Sequence, residues 1–396
     1  MKIPLTEHVD IQKLLTDVEK SYANQKGLIV KKRDGLSIIK YNKICLTNNN
    51  ISSLGLFRSV IMDQNGRILS FSPPKSIPFQ KFRLENDFTN CVLEPLVEGT
   101  MINVFWDYSI DDWNISTKST VGARCIFNIE DGKTFRYMFL DVMNNIGLEF
   151  EHLNPHFVYS FVMKHPLNRI VVPVDSCSLT LIAVYSIKNN EVEVIEDLTN
   201  FKQNSFDILS PYKDDNQYVD FQDVFEHFST DNIPYTFPGI VIKNTLTGER
   251  TKIRNNNYER VRHLKGNTPK MQYHYYYLRQ NGLVKEFLKY YPEYRDKFSE
   301  HRVTLHGWTN TLYQNYVDCF IKKMKPLREY PYNFKTHMYK LHELYLNKYM
   351  PEKKYVTRNV VIEYVNTLPP PRLMYSVNHI FKEHDLDLKK EKITVE

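Results

Sequence analysis

No run of apolar residues in this sequence approaches the roughly 20 that span a bilayer, and the mean hydropathy is −0.46. A helical membrane protein is excluded as a class. The opening MKIPLTEHVDIQKLLTDVEK carries a charge every few residues and lacks the apolar block of a secretory leader, so export is not expected. Cysteine is sparse. Cys45, Cys91, Cys125, Cys177 and Cys319 form no CxxC pair and have no histidine at metal-ligand spacing. Neither a disulfide framework nor a structural zinc is expected, a reducing compartment fits, and all five read as small buried hydrophobes. Internal repeats and low-complexity linkers are also missing.

What is present suffices for real cores. The chain has 396 residues, 42% hydrophobic and 25% charged, a length that ordinarily divides into about two domains. The formal net charge of +6 is mild, but it is unevenly spread. From Lys243 to Arg279 the bases Lys243, Arg250, Lys252, Arg254, Arg260, Arg262, Lys265, Lys270 and Arg279 are opposed only by Glu249 and Glu259. That excess suits a polyphosphate or nucleic-acid partner.

Up to about residue 265, the runs GLIVKK, LSIIKY, MINVFWD, RIVVPV, LTLIAVYSI and GIVIKN are punctuated by Asn, Asp, Gly and Pro and predict strands. DIQKLLTDVEKSYANQ (10–25) and KTFRYMFLDVMNNIGL (133–148) predict helices. The combination is an α+β fold built on antiparallel sheet. After KGNTPK, apolar residues recur at three and four positions, as at Leu305, Trp308, Leu312, Tyr316 and Phe320. This predicts an all-α C-terminal domain over 270–396, following a domain over 1–265. The charged tail EHDLDLKKEKITVE is expected to fray. MQYHYYYL reads as core packing rather than an aromatic nucleic-acid platform. His301 and His306, like His337 and His342, sit five apart on different helix faces and read as surface or capping groups. LPPPRL (368–373) reads as the rigid terminator of the last helix rather than a ligand for an SH3-like domain.

Six segments follow one another along the chain: LGLFRSVIMDQNGRILSFSPPKSIPFQKF (54–82), LVEGTMINVF (96–105), WNISTKSTVGA (113–123), YSFVMKHPLNRIVV (159–172), FPGIVIKN (237–244) and ERTKIRNNNYERVR (249–262). In order and spacing they resemble the motifs of the phage-type, tRNA-repair RNA ligase family, within the covalent nucleotidyltransferase superfamily. The likeness spans nearly the whole chain. Its EGTMI form is similar to ligase-like proteins of giant DNA viruses, which makes a large-virus origin an expectation. The resemblance implies an antiparallel nucleotidyltransferase domain followed by a helical one. It also implies a reaction: a lysine amine attacks the α-phosphate of ATP, AMP passes to a 5′-phosphate end, and the ends are joined. The first step needs a neutral amine, together with carboxylates that hold the metal and the sugar.

At the reacting positions the sequence departs from that family. Leu96 stands where the resemblance places the nucleophilic lysine, Val162 follows Phe161 where it places a glutamate, and Pro238-Gly239 replaces its Glu-Gly. Gly99 and Gly239 are kept, and Glu98 replaces the usual Asp. Lys252-Ile253-Arg254 also persists, its alternate spacing putting both cations on one strand face, aimed at phosphate. Arg58, Lys75 and Lys118 add charge around the same cleft. The candidate nucleotide- or phosphate-binding residues are therefore Arg58, Lys75, Glu98, Gly99, Lys118, Lys252 and Arg254, with no metal ligand and no cofactor expected. The expected function is binding of RNA or nucleotide phosphates by a catalytically degenerate ligase-like protein, with RNA as partner and a protein partner through the helical domain. Its expected place is cytoplasmic, in a host cytoplasm or viral factory.

Two alternatives stay open. A literal Lys-x-Asp-Gly at Lys32-Arg33-Asp34-Gly35 would make Lys32 the nucleophile of an active RNA ligase using ATP and Mg. That segment precedes the LFRSVIMD strand, which the family's lysine follows, and Asp34-Gly35 reads more simply as a hairpin turn. The other alternative is a structural role in a virion or scaffold.

Overall fold

The computed structural model describes residues 1–17, 19–126 and 132–379, and the charged tail lies outside them. The chain divides into two compact units, Met1–Lys265 and Gly266–Glu396. In the first unit the strands are β1 (Lys2–Ile3), β2 (Leu28–Arg33), β3 (Leu36–Tyr41), β4 (Val60–Met62), β5 (Ile68–Phe71), β6 (Cys91–Pro95), β7 (Thr100–Asp107), β8 (Asp112–Thr117), β9 (Thr120–Val121), β10 (Phe157–Lys164), β11 (Ser178–Lys188), β12 (Glu191–Ile195), β13 (Asp207–Ile208), β14 (Gly239–Asn244) and β15 (Arg250–Arg254). The largest sheet has the order β1-β12-β11-β10-β7-β8-β9 and is antiparallel, except where β13 runs parallel to β11. The orders β2-β3-β4-β5 and β15-β14-β6 make two further antiparallel sheets. The fold class is α+β, as the patterning predicts.

Each sheet buries one face because alternate residues are apolar. Helix Phe135–Ile146 sets Met138, Phe139, Val142 and Met143 against Phe161, Met163 and Leu179 of the large sheet. Thr134 caps its start by accepting the Tyr137 N–H, and Gly147 ends it in the left-handed region. Helices Phe79–Glu85 and Phe221–Phe228 cover one face of the β15-β14-β6 sheet, where Phe82, Phe221 and Phe228 meet Ile240, Ile242 and Ile253. Each fully buried Phe or Ile there contributes roughly 1.5–3 kcal/mol. The site described below lies on the opposite face of that small sheet, where the side chains of Arg250 and Lys252 are largely buried.

Several expectations are corrected. The helix read at 10–25 is two helices, Ile11–Thr16 and Ser21–Gln25, because Asp17 accepts the Ala23 N–H and Lys20 takes φ +58°. RIVVPV is not a strand. The N–H groups of Val171 and Val172 donate to Glu98 Oε1, at 3.1 and 3.0 Å, instead of to a neighbouring strand. The LFRSVIMD strand covers only Val60–Met62. All five cysteines are free, but each is partly exposed rather than buried.

The second unit is helical over its described residues, with Met271–Gln280, Val284–Tyr290, Arg295–Tyr316, Tyr332–Leu344 and Arg358–Thr367 as its main helices. MQYHYYYL packs inward through Met271, Tyr275, Tyr276 and Leu278. His337 departs from the surface reading: it is buried, and its two ring nitrogens each lie 2.8 Å from a hydroxyl, of Tyr364 and Ser376. Burial pushes its pKa down to about 4. LPPPRL also differs, since a further helix begins at 370 within it; proline is well suited to a first helical turn. Among the described residues no helix is long and apolar enough to cross a membrane.

Candidate functional site

The site is built by register. Across the small sheet, Lys252 stands opposite Val241, which stands opposite Glu94, while Arg254 faces Gly239 and Arg250 faces Lys243. Since side chains alternate, Arg250, Lys252 and Arg254 share the face away from the helices, and Thr251 and Ile253 point into the core. Leu96 follows β6 directly, and its N–H donates to the Gly239 carbonyl at 2.9 Å. The position that the sequence resemblance assigns to a nucleophile thus lies across one intervening strand, at Gly239, from Arg254. An isobutyl side chain occupies it.

Arg58, Lys75, Lys118, Lys252 and Arg254 come from well-separated segments and form one electrostatic group. Burial, followed by the charges of Arg254, Lys75, Arg58 and Arg250, lowers Lys252 to about 7. Burial, Arg58 and Lys43 bring Lys118 down to about 8, and burial and Arg250 lower Arg58 to about 10. Lys75 is lowered by burial and by Arg58, Lys118 and Arg254. Their neutral contacts hold geometry without neutralising charge. Arg58 Nη1 donates to the Pro73 carbonyl at 3.3 Å, Lys75 Nζ to the Ser76 carbonyl at 3.3 Å, and Lys118 Nζ to the Tyr41 hydroxyl at 3.0 Å. Among the described residues, Arg254 alone of the five has an acid, Glu259, at 2.6 Å, which it shares with Arg262.

Sequence reasoning missed Arg250, Tyr41 and Glu259. The period-two run Arg250-Thr251-Lys252-Ile253-Arg254 carried a signal for Arg250. No pattern announces Tyr41, whose hydroxyl and ring both meet Lys118.

Gly99 and Gly239 hold the backbone close. At Gly99, φ is +150° and an added Cβ would lie 2.5 Å from the Met163 carbonyl and 2.6 Å from Val162 Cγ1. Glu98 is buried rather than open to the cleft, and its Oε1 accepts the Val171 and Val172 amides. Beside it, burial and the Glu98 charge keep the Tyr258 phenol protonated. Carboxylates suited to a metal are scarce on this face. Burial raises the Glu94 pKa while Lys243 and Arg250 lower it, Glu259 is committed to arginines, and Val162 and Pro238 carry no side-chain oxygen.

Lys32 is exposed in the β2–β3 hairpin, where it pairs with Ser37 and its amine donates to the Leu15 carbonyl at 3.4 Å. Asp34 (φ +49°) and Gly35 (φ +77°) form the turn, as their sequence predicts.

Away from this face, Asp141, His165 and Cys177 bring ligand atoms within 4.8 Å of one another. The imidazole is already committed. Nδ1 accepts the Leu167 N–H at 3.0 Å, so the neutral ring carries its proton on Nε2, which donates to Asp141 Oδ2 at 3.0 Å. A metal on Nε2 would leave the ring no N–H to donate outward, the reverse of how ligating histidines are held. Burial and Asp141 also push the Cys177 thiol up, against the thiolate form. Zinc titration of the protein is expected to reveal no stoichiometric site that His165→Asn removes; finding one would show that the ring reorients.

No protein-family model and no curated protein matches the sequence. Among solved structures, the chain is similar to an archaeal ATP-dependent RNA ligase in two forms. The first is 14% identical over 75% of this chain and 73% of the other, with a TM-score of 0.39. The second is 13% identical over 76% and 78%, with a TM-score of 0.41. The chain is also similar to a candidate ATP-dependent DNA ligase from Aquifex aeolicus, 12% identical over 84% and 80%, with a TM-score of 0.38. Likeness at this level decides nothing about activity.

Proposed function

We propose that the first unit is a binding module for the phosphates of RNA or a nucleotide, without nucleotidyl transfer of its own. One observation carries this reading. Burial first, and then one another's charges or those of shared neighbouring cations, lower the proton affinity of Arg58, Lys75, Lys118 and Lys252, and none has an acidic partner among the described residues. Such a group is self-opposing, and an arriving anion relieves it. Lysines on a merely solvated sheet edge would keep their ordinary values near 10.4. Covalent transfer, in the family the sequence resembles, needs an amine donor and metal-holding carboxylates. Leu96, Val162 and Pro238 supply neither. The proposal accordingly includes no bound metal and no ATP consumption. A protein partner on the helical unit and a host-cytoplasmic or viral-factory location rest on the sequence resemblance alone.

RNA binding in low salt tests the reading. The double change Lys252→Ala/Arg254→Ala is expected to weaken binding at least about tenfold and to reduce the slope of log affinity against log salt by about two, roughly one per lost cation. A chain that binds neither RNA nor nucleotide in low salt would end the proposal. Incubation with α-labelled ATP and Mg is expected to leave the protein unlabelled. Covalent label that disappears in Lys32→Ala would establish the active ligase instead.

A further inference from the structure

A cavity of about 370 Å³ lies beside the cationic group. Its walls are largely apolar, from Ile3, Pro4, Ile51, Leu56 and Ile77, yet Lys75 and Arg250 also line it. These two bases therefore belong both to the cavity and to the electrostatic group on the sheet face. The acids at its rim are already engaged, Glu85 with Lys81 at 2.5 Å and Glu249 with the Asn86 amide at 3.2 Å. Of the two, only Glu85 is paired with a cation; Glu249 keeps its charge at the rim, on the side of the Thr247–Glu249 turn.

The side of the cavity that carries Lys75 and Arg250 is fixed by the segment from Pro73 to Pro78. Arg250 Nη2 donates to the Pro74 carbonyl at 2.9 Å, the Ile77 N–H donates to the Arg250 carbonyl at 2.8 Å, and Thr251 Oγ1 donates to the Ile77 carbonyl at 2.8 Å. Three prolines, Pro73, Pro74 and Pro78, restrict the same loop. A pocket held in this way loses little entropy on binding. Its volume lies within the range of small-molecule sites, and a mostly apolar lining with a few polar groups is their usual composition.

We propose that this cavity receives the nucleobase of the ligand whose phosphates lie on the cationic face. A base is the group whose faces are apolar, whose edges hydrogen-bond, and which a sugar holds a short distance from phosphate. Here the apolar walls meet the faces, Ser52 and Thr247 at the rim are within the lining to meet an edge, and Lys75 and Arg250 stand where sugar gives way to phosphate. The assignment rests on the phosphate-binding reading above. A free nucleotide and the end of an RNA present the same chemistry.

Calorimetric titration of the full chain with inorganic tripolyphosphate, ATP and a 5′-triphosphorylated oligoribonucleotide tests the assignment. The base-bearing ligands are expected to bind at least about tenfold tighter than tripolyphosphate, a preference of about 1.4 kcal/mol. Ser52 is exposed at the cavity rim, so Ser52→Trp fills the opening without disturbing the core. This variant is expected to erase the preference and leave tripolyphosphate affinity unchanged. Thr247→Tyr, on the opposite side of the rim in sequence and also exposed, provides a second obstruction if the first fails to fold. A larger loss for the oligoribonucleotide than for ATP identifies the source as an RNA end, and the reverse identifies a free nucleotide. Equal affinity for tripolyphosphate and ATP in the unaltered protein, or a preference surviving both obstructions, overturns the cavity assignment. Failure of all three ligands to bind overturns the phosphate reading and this assignment with it.

Discussion

Gly239→Ala is expected to destabilise the Met1–Lys265 unit by at least about 3 kcal/mol, read as a lower urea midpoint. Gly239 has φ +134°, and a Cβ there would lie 2.2 Å from the Ile253 carbonyl oxygen and 2.8 Å from Arg254 Cα. Both obstacles are backbone atoms of the paired strand β15. Relief requires β14 and β15 to part, which also displaces Lys252 and Arg254 from the face. Gly147→Ala is the matched control. It too has positive φ, +67°, but nothing lies within 4 Å of where its methyl group would sit, so the change is expected to cost only about 1 kcal/mol. Equal costs for the two variants would show that close strand approach is not what selects glycine at 239.

RNA affinity is expected to rise about a hundredfold as pH falls from 9 to 6, measured with an oligoribonucleotide whose phosphodiesters do not titrate in that window. The sign follows from the free protein. Lys252 and Lys118 are held at about 7 and about 8 by burial and by neighbouring cations. A bound anion favours their charged forms, so binding takes up protons and gains from acidification through 8 and then 7. Lys252→Arg keeps the charge across the window and is expected to flatten the lower part of the profile. A flat profile in the unaltered protein would contradict the arrangement of charges. Stability without ligand runs the other way. Folded-state values below the unfolded value of 10.5 mean that the unfolded chain binds more protons between about pH 7 and 10.5, so stability grows as pH rises through that interval. Lys252→Met is therefore expected to raise the melting temperature at pH 7 while abolishing much of the RNA affinity.

Local chemistry was the legible part of the fold. Asp34-Gly35 announced the β2–β3 turn, the segment 133–148 contained the Phe135–Ile146 helix, and the alternation at Lys252 and Arg254 put both on one strand face. Long-range competition was not legible. RIVVPV has the composition of a strand, but Glu98, 73 residues before Val171, accepts the hydrogen bonds that a neighbouring strand would have taken. His337 looked like a surface residue until Tyr364 and Ser376 supplied hydroxyls to both nitrogens. The convergence of Arg58, Lys75 and Lys118 on the β15 cations depends on how separate sheets stack, which no spacing along the chain encodes. Arg250 was legible in the same alternation as Lys252 and Arg254; only its hydrogen bond to the Pro74 carbonyl, 176 residues away, was not.

The strict alternation along β15 also limits how its length can change during evolution. Adding one residue before Lys252 would turn the guanidinium and ammonium groups inward, among Phe82, Phe221 and Phe228, and turn Ile253 out to water. Insertions or deletions on this strand are tolerable only in pairs, so homologous chains should differ there by even numbers of residues or not at all.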